Sequence, residues 1–170
     1  MDHREFVELF GPEKIPDHVD EFLGYTMVRK VAAGASFKQT SARVVKKLIQ
    51  WLVEQEYVEA EDAVDGYATT SRASRDLPRA ERTSCLLSEV EVSLPSRPSG
   101  EGFVDFGHCN ITRLEPGKLW LASMMERGEF GPIDVPETAT DLLEKGWTIS
   151  CALVRRRGRW HLAEVANVYP

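Results

Sequence analysis

Residues 147–168 read WTISCALVRRRGRWHLAEVANV, and this stretch decides the fold class of the C-terminal half of the chain. Every second residue from Trp147 to Leu153 is apolar, which is the periodicity of a strand with one buried face. Residues 156–159 are basic and include a glycine, so they predict a turn, and the spacing after them predicts a last strand that ends near Val168. The stretch therefore predicts two strands joined as a hairpin.

Further strand signals lie upstream of this hairpin. Pro116-Gly117 is a strong turn signal between the first two strands, because Pro fixes φ and Gly accepts a positive φ. A helix is predicted between Pro136 and Gly146, since Pro suits the first helical position and Gly ends helices. The order strand, strand, strand, helix, strand, strand is that of an oligonucleotide/oligosaccharide-binding (OB) barrel, and an SH3-like barrel is the alternative. The five predicted strands are 103–114, 119–121, 133–135, 147–154 and 160–168.

The N-terminal half has helical spacing instead. Predicted helices cover residues 3–10, the segment between Pro16 and Gly34, and residues 36–57, 59–75 and 79–90, with Leu77-Pro78 separating the last two. Ser36 and Gln39 have the spacing of a capping box at the start of the third helix. The predicted buried face of that helix is the apolar stripe Val44, Val45, Leu48, Ile49, Leu52 and Val53.

A segment rich in Pro, Ser and Gly joins the two halves and has the composition of a linker. We therefore expect an α+β protein. Its parts are a helical bundle at residues 1–91, a linker at 92–102 and a small five-stranded β-barrel at 103–170, OB-like or alternatively SH3-like.

The composition limits the class of protein. The chain has 170 residues and a formal net charge of −6, which argues against a uniformly cationic protein that coats nucleic acid or lipid. No window approaches the ~18 consecutive apolar residues that span a bilayer, and the first residues do not have the pattern of a signal peptide. Three widely spaced cysteines suit reduced thiols better than a disulfide framework. These features predict a cytoplasmic protein that does not bind a membrane.

The sequence contains no phosphate-binding loop, nucleophile elbow or zinc-protease motif. His108 and Cys109 are adjacent on a predicted strand and point to opposite faces, so they do not share a metal. Cys109 and Cys151 are expected to fill the core. We therefore expect a non-enzymatic protein without catalytic residues, metal or cofactor. An enzyme of unfamiliar type, with a pocket between the two halves, is the alternative.

Positive charge is concentrated in two segments. Residues 28–50 contain six basic and no acidic residues, although the chain as a whole is acidic. The spacing of Arg43, Lys46, Lys47 and Gln50 places them on one helix face, which would neutralise phosphates or, alternatively, pair with the acidic run at 54–65. The second segment is 155–159, in the predicted turn between the last two strands, a loop that contacts oligonucleotides in OB-folds. There the alternative is a solubilising hairpin tip followed by a core tryptophan.

These patches predict a regulatory or nucleic-acid-binding protein that contacts DNA or RNA. The residues expected to bind phosphates or bases are Lys38, Arg43, Lys46, Lys47, Arg155, Arg156, Arg157, Arg159, Trp160 and His161. The alternative is a module for protein–protein interaction or assembly. Such a module would bind a protein partner or self-associate through exposed apolar surface or a free strand edge, without contacting nucleic acid.

Residues from Val19 to Tyr57 resemble the core-binding, SAM-like domain of tyrosine recombinases and phage integrases. The resemblance lies in a first helix with Phe22-Leu23, the segment SFKQT at 36–40, and a basic amphipathic helix ending in LIQWLVEQ at 48–55. It implies a fold that clasps DNA. It implies no recombinase chemistry, because the C-terminal half lacks the arginine, histidine and tyrosine nucleophile of that family.

Overall fold

The computed structural model describes residues 10–93 and 102–170, which belong to two compact units divided between Pro78 and Arg79. The first unit is helical, and the second contains a five-stranded sheet. The mixed α+β class, with helices before strands, is confirmed. The division at 92–102 stays a prediction. Most of that segment, and nearly all of the helix predicted at 3–10, lie outside the described residues.

The first unit opens with short helical segments. They are the 3-10 turns Pro12–Lys14 and Pro16–His18, the π-helical segment Glu21–Thr26, and helix α1, Met27–Arg29. Helix α2, Ala35–Glu54, follows Gly34, whose extended backbone forms the N-cap without a side-chain hydrogen bond. The predicted capping box of Ser36 and Gln39 is therefore wrong.

Helix α3, Val64–Ser88, contains Pro78 in its interior, so the break predicted at Leu77-Pro78 is wrong. A proline inside a helix has no N–H for the carbonyl four residues earlier, which here belongs to Ser74. The side chain of Gln39 on α2 donates a hydrogen bond to that carbonyl, with 3.4 Å between Nε2 and O. A contact between helices thus replaces the bond that proline removes.

The apolar arc of α2 is wider than its buried face. Its buried residues are Lys38, Ala42, Ile49 and Leu52. Two residues of the predicted buried stripe are exposed, Val44 by 59% and Leu48 by 39%, so the prediction is wrong for both. At about 100° per residue, Val44 lies roughly a third of a turn from the centre of the buried line. Part of the apolar surface of α2 is therefore left open.

The sheet of the second unit closes in a ring, in the order β1-β2-β3-β5-β4. The elements are β1 Phe103–Glu115, β2 Lys118–Ser123, β3 Glu129–Asp134, helix α4 Glu137–Thr140, β4 Thr148–Arg156 and β5 Arg159–Tyr169. Strand β4 returns to pair with β1, and β3 pairs with β5 in parallel, whereas the other pairs are antiparallel. The five predicted strands and the helix between the third and fourth are confirmed.

The core of the second unit consists of the inward residues of the strands together with Ala80 and Leu87 of α3. Leu119 and Leu121 are fully buried on β2, so these odd-numbered residues of that strand face the core and the residue between them faces outward. Cys109 and Cys151 are also fully buried and unoxidised, which confirms their prediction as core residues.

Candidate nucleic-acid interface

The turn between β4 and β5 is a two-residue hairpin loop. Arg156 pairs with Arg159 across the strands, so Arg157 and Gly158 form the loop. Their φ angles are 50° and 81°, and two positive values define the type I′ turn that matches the twist of paired strands. Asn or Gly usually takes the first position, because other residues are strained at positive φ. An arginine there is therefore less favourable for folding than an asparagine or a glycine.

A cleft of about 740 Å³ lies beside this hairpin. The residues that line it are Val92, Arg156, Arg157, Arg159 and His161. Arg156 and His161 reach the same side because Arg156 pairs with Arg159 and Val154 pairs with His161, and directly paired residues share a face. None of these lining residues is acidic, so the cleft attracts anions.

The hairpin arginines are largely unpaired with acids. Arg159 Nη1 lies 3.6 Å from Asp134 Oδ2, and both side chains are exposed, so this ion pair is weak. Arg155 Nε donates to the Gly158 carbonyl oxygen at 3.4 Å, and Arg156 donates to the Ser93 carbonyl oxygen. Across residues 10–93 and 102–170, no carboxylate lies within ion-pair distance of Arg155, Arg156 or Arg157. Among the described residues, therefore, the charges of Arg155, Arg156 and Arg157 have no acidic partner, and only Arg159 has one.

Trp160 and His161 follow the arginines but face opposite sides of β5. The Trp160 ring is half-buried and packs edge-on against Phe130, with 5.0 Å between ring centroids, and it touches the core. His161 lines the arginine cleft. Strand alternation therefore brings His161 to the side of Arg156 and Arg159, whereas Trp160 is the cross-strand partner of Arg155 on the opposite face. Because its ring is half-buried against Phe130, Trp160 offers only part of its surface to a base.

A second turn, between β1 and β2, lies close to the start of β5. Ile133 on β3 is the partner of Trp160 on β5, and Asp134 is the partner of Lys118, the first residue of β2. Lys118 and Arg159 therefore flank Asp134 from either side. The β1–β2 turn is therefore followed by an exposed lysine close to Arg159, with Asp134 between the two cations.

Trp120 lies on the outer face of β2, although a tryptophan of a small barrel is expected to fill its core. Trp120 lies between the buried Leu119 and Leu121, so it points away from the core. The Arg113 guanidinium carbon lies 4.4 Å from the Trp120 ring centroid, and a Cβ on Gly131 would come within 2.5 Å of Trp120 Cδ1. The ring is therefore held between a glycine and a guanidinium. Because side chains alternate along a strand, the sequence Leu119-Trp120-Leu121 with buried leucines already indicates that Trp120 faces outward.

The basic face predicted on α2 is only partly available. Arg43, Lys46 and Lys47 are exposed, and Lys46 Nζ donates to Ser71 Oγ at 3.2 Å. Lys38 is 4% exposed, because it lies on the buried line of the helix, and so it is not a surface contact for phosphate. In the part of the chain that the structure describes, the acidic run at 54–65 forms no ion pair with the three exposed residues. They remain a second cationic surface.

The buried Cys151 thiol is not suited to chemistry at a surface. A hydrogen bond with Cys109, together with burial, holds the pKa of Cys151 well above its ordinary value. A neutral, enclosed thiol is a poor nucleophile. No group of three or more His, Cys, Asp or Glu side chains is arranged to hold a metal ion among the residues that the structure describes.

Comparisons with protein-family models, with curated proteins and with solved structures find no match for this chain. They leave the resemblance of residues 19–57 to the integrase core-binding domain untested, so it stays a prediction. None of the described helices combines the length and the hydrophobicity that crossing a membrane requires. Any assignment of function therefore depends on the geometry of the basic surfaces.

Proposed function

We propose that this chain is a non-enzymatic protein that binds single-stranded nucleic acid, DNA or RNA, through the β4–β5 hairpin. The observation that carries the proposal is that Arg155, Arg156 and Arg157 have no carboxylate within ion-pair distance among the described residues. Clustered cations without local acids release counterions from a phosphate backbone and gain affinity from that release. The strained position of Arg157 supports the same role.

The strand order supports an OB-like fold for the second unit. Strands β1, β2 and β3 follow one another, and β4 returns beside β1, which is the Greek-key order. An SH3-like meander would pair β3 with β4, whereas here β3 pairs with β5. In OB-folds the face of strands β2 and β3 and the β1–β2 and β4–β5 loops contact oligonucleotides. The basic hairpin forms the second of those loops, and Lys118 directly follows the first.

Base contacts would come from the outer face of the sheet. The Arg113 guanidinium, which is also ion-paired with Glu115, covers Trp120 at 4.4 Å, and a base would stack on its opposite face. Bases of single strands stack on aromatic rings and on guanidinium planes, whereas the bases of a duplex are already stacked. This arrangement favours single strands over duplexes.

Fluorescence anisotropy with labelled single-stranded DNA and RNA tests the proposal. Four arginine contacts predict that affinity falls about 50-fold between 50 and 200 mM salt, since the slope is about −0.7 per phosphate contact. In a variant with Arg155→Gln, Arg157→Gln and Arg159→Gln, one of those contacts remains, and the fall shrinks to about 3-fold.

Two matched variants separate the surfaces. Arg72→Gln, Arg82→Gln and Arg127→Gln remove the same charge from exposed positions elsewhere, and they should leave the salt slope unchanged. Arg43→Gln, Lys46→Gln and Lys47→Gln test the α2 surface by itself. Absence of binding at low salt, or an equal loss in the Arg72, Arg82 and Arg127 variant, contradicts the proposal.

A further inference from the structure

Helix α2 carries a stripe of exposed apolar residues that the helical unit leaves open. The exposed fractions are 55% for Phe37, 59% for Val44 and 49% for Trp51, with Leu48 beside them at 39%. Phe37, Val44 and Trp51 are spaced seven residues apart, close to two helical turns, so they lie in one line along the helix. Single exposed apolar residues are ordinary, but a contiguous line of large ones marks an interaction surface.

An apolar groove continues this stripe on one side. Its volume is about 710 Å³, and the residues that line it include Ile15, Val19, Phe22, Val45 and Leu48. Leu48 belongs to both the stripe and the groove. The open apolar surface therefore extends from α2 onto the segment that precedes it.

The spacing of the stripe is symmetric about Val44. Phe37 precedes Val44 by seven residues and Trp51 follows it by seven, so the two large aromatic residues are equidistant from the centre. We propose that a second copy of this chain covers the stripe, with the two α2 helices antiparallel and crossing at Val44. In that arrangement Phe37 of one copy packs against Trp51 of the other, and a two-fold axis passes between the two Val44 side chains.

The charges at the two ends of α2 favour the antiparallel direction. The exposed Arg29 and Lys30 precede the start of the helix, and the exposed Glu54 and Glu56 lie at its end. Antiparallel helices place the acidic end of one copy beside the basic end of the other. Parallel helices would place like charges together at both ends.

Cysteine cross-linking tests the direction and the register. In a Cys85→Ser background, Val44→Cys should form a disulfide-linked dimer with oxidised glutathione, because the two engineered thiols meet at the axis. Phe37→Cys alone should not, since its two copies would lie about 21 Å apart along the helices, at about 1.5 Å per residue. A mixture of Phe37→Cys with Trp51→Cys should cross-link. Gln50→Cys, on the same helix but outside the stripe, is the matched control.

Light scattering tests whether the dimer forms without a cross-link. The wild type should have twice the chain mass of 19.2 kDa at micromolar concentration, and Val44→Glu should be monomeric with unchanged helix content. Val64→Glu, at another exposed valine of the helical unit, should remain dimeric. A monomeric wild type, a dimeric Val44→Glu variant or equal cross-linking at Gln50→Cys overturns the proposal. A monomer that binds anionic phospholipid vesicles through this stripe also overturns it and assigns the face to a membrane surface.

Discussion

Replacing Arg157 by Asn should stabilise the second unit and weaken nucleic-acid binding at the same time. Arg157 occupies the first position of a type I′ turn at a φ of 50°, a conformation that costs most L-residues about 1 kcal/mol or more and that Asn tolerates. Its side chain makes no ion pair within the described residues. The substitution therefore relieves backbone strain and removes little favourable contact from the folded state.

We expect the free energy of unfolding to rise by about 0.5–1 kcal/mol, which corresponds to a rise in Tm of about 4 °C for a unit of this size. The salt slope for binding a single strand should become shallower by about 0.7, the value of one phosphate contact. Urea unfolding and fluorescence anisotropy measure the two effects on the same preparation. Stability and affinity should move in opposite directions.

Arg127→Asn is the matched control. Arg127 is an exposed arginine in the second unit, and its φ is not positive. The control removes the same charge without relieving strain, so neither stability nor the salt slope should change by a comparable amount. If Arg157→Asn destabilises the protein, Arg157 does not strain the backbone of this turn. If it leaves the salt slope unchanged, Arg157 does not contact phosphate.

Three further predictions concern the fold. Glu56 has a φ of 62° at the end of α2, where the Tyr57 N–H donates to the Leu52 carbonyl oxygen at 2.9 Å, as in a Schellman motif. Because glycine adopts a positive φ without strain, Glu56→Gly should raise the free energy of unfolding by about 1 kcal/mol in urea titration. A loss of stability would contradict this. Gln39→Ala should lower the free energy of unfolding by about 1 kcal/mol, because the Ser74 carbonyl that Pro78 leaves free loses its donor. In a Pro78→Ala background the helix supplies its own donor, so Gln39→Ala should have almost no effect. Because the pKa of Cys151 is raised in the folded state, above about pH 8.5 the unfolded chain loses a thiol proton that the folded chain keeps. The contribution of Cys151 to the free energy of unfolding is therefore complete below that pH and falls above it. Unfolding free energies measured from neutral to alkaline pH should decline less steeply in Cys151→Ala than in the wild type.

The second unit was predictable because local signals and tertiary structure agree there. The alternation from Trp147 to Leu153 and the turn at 116–117 define strands and hairpins without reference to distant residues. The same alternation places Trp120 on the outer face, but a tryptophan in a small barrel is usually interpreted as core. Its contact with Arg113 depends on the register between strands, which the sequence does not contain.

The helical unit was less predictable because tertiary contacts override local signals there. Pro78 is a helix breaker by itself, and the carbonyl that it leaves without a partner accepts a hydrogen bond from the Gln39 side chain of another helix. The apolar arc of α2 covers about half of the helix, and which part is buried depends on the packing of its neighbours. Lys38 was predicted to be exposed because its charge favours the surface, but the packing of the neighbouring helices places it on the buried line of α2.

The two proposed surfaces differ in their response to salt, and together they predict a property that neither has alone. Binding at the hairpin weakens as salt rises, whereas an apolar contact between α2 helices is largely insensitive to it. A dimer presents two basic hairpins, so a single strand long enough to reach both should bind tighter than a short one by on the order of 100-fold. Val44→Glu should abolish that dependence on length and leave the affinity for the short strand unchanged. If the gain with length persists in monomeric Val44→Glu, the longer strand is bound by more of one chain rather than by two copies.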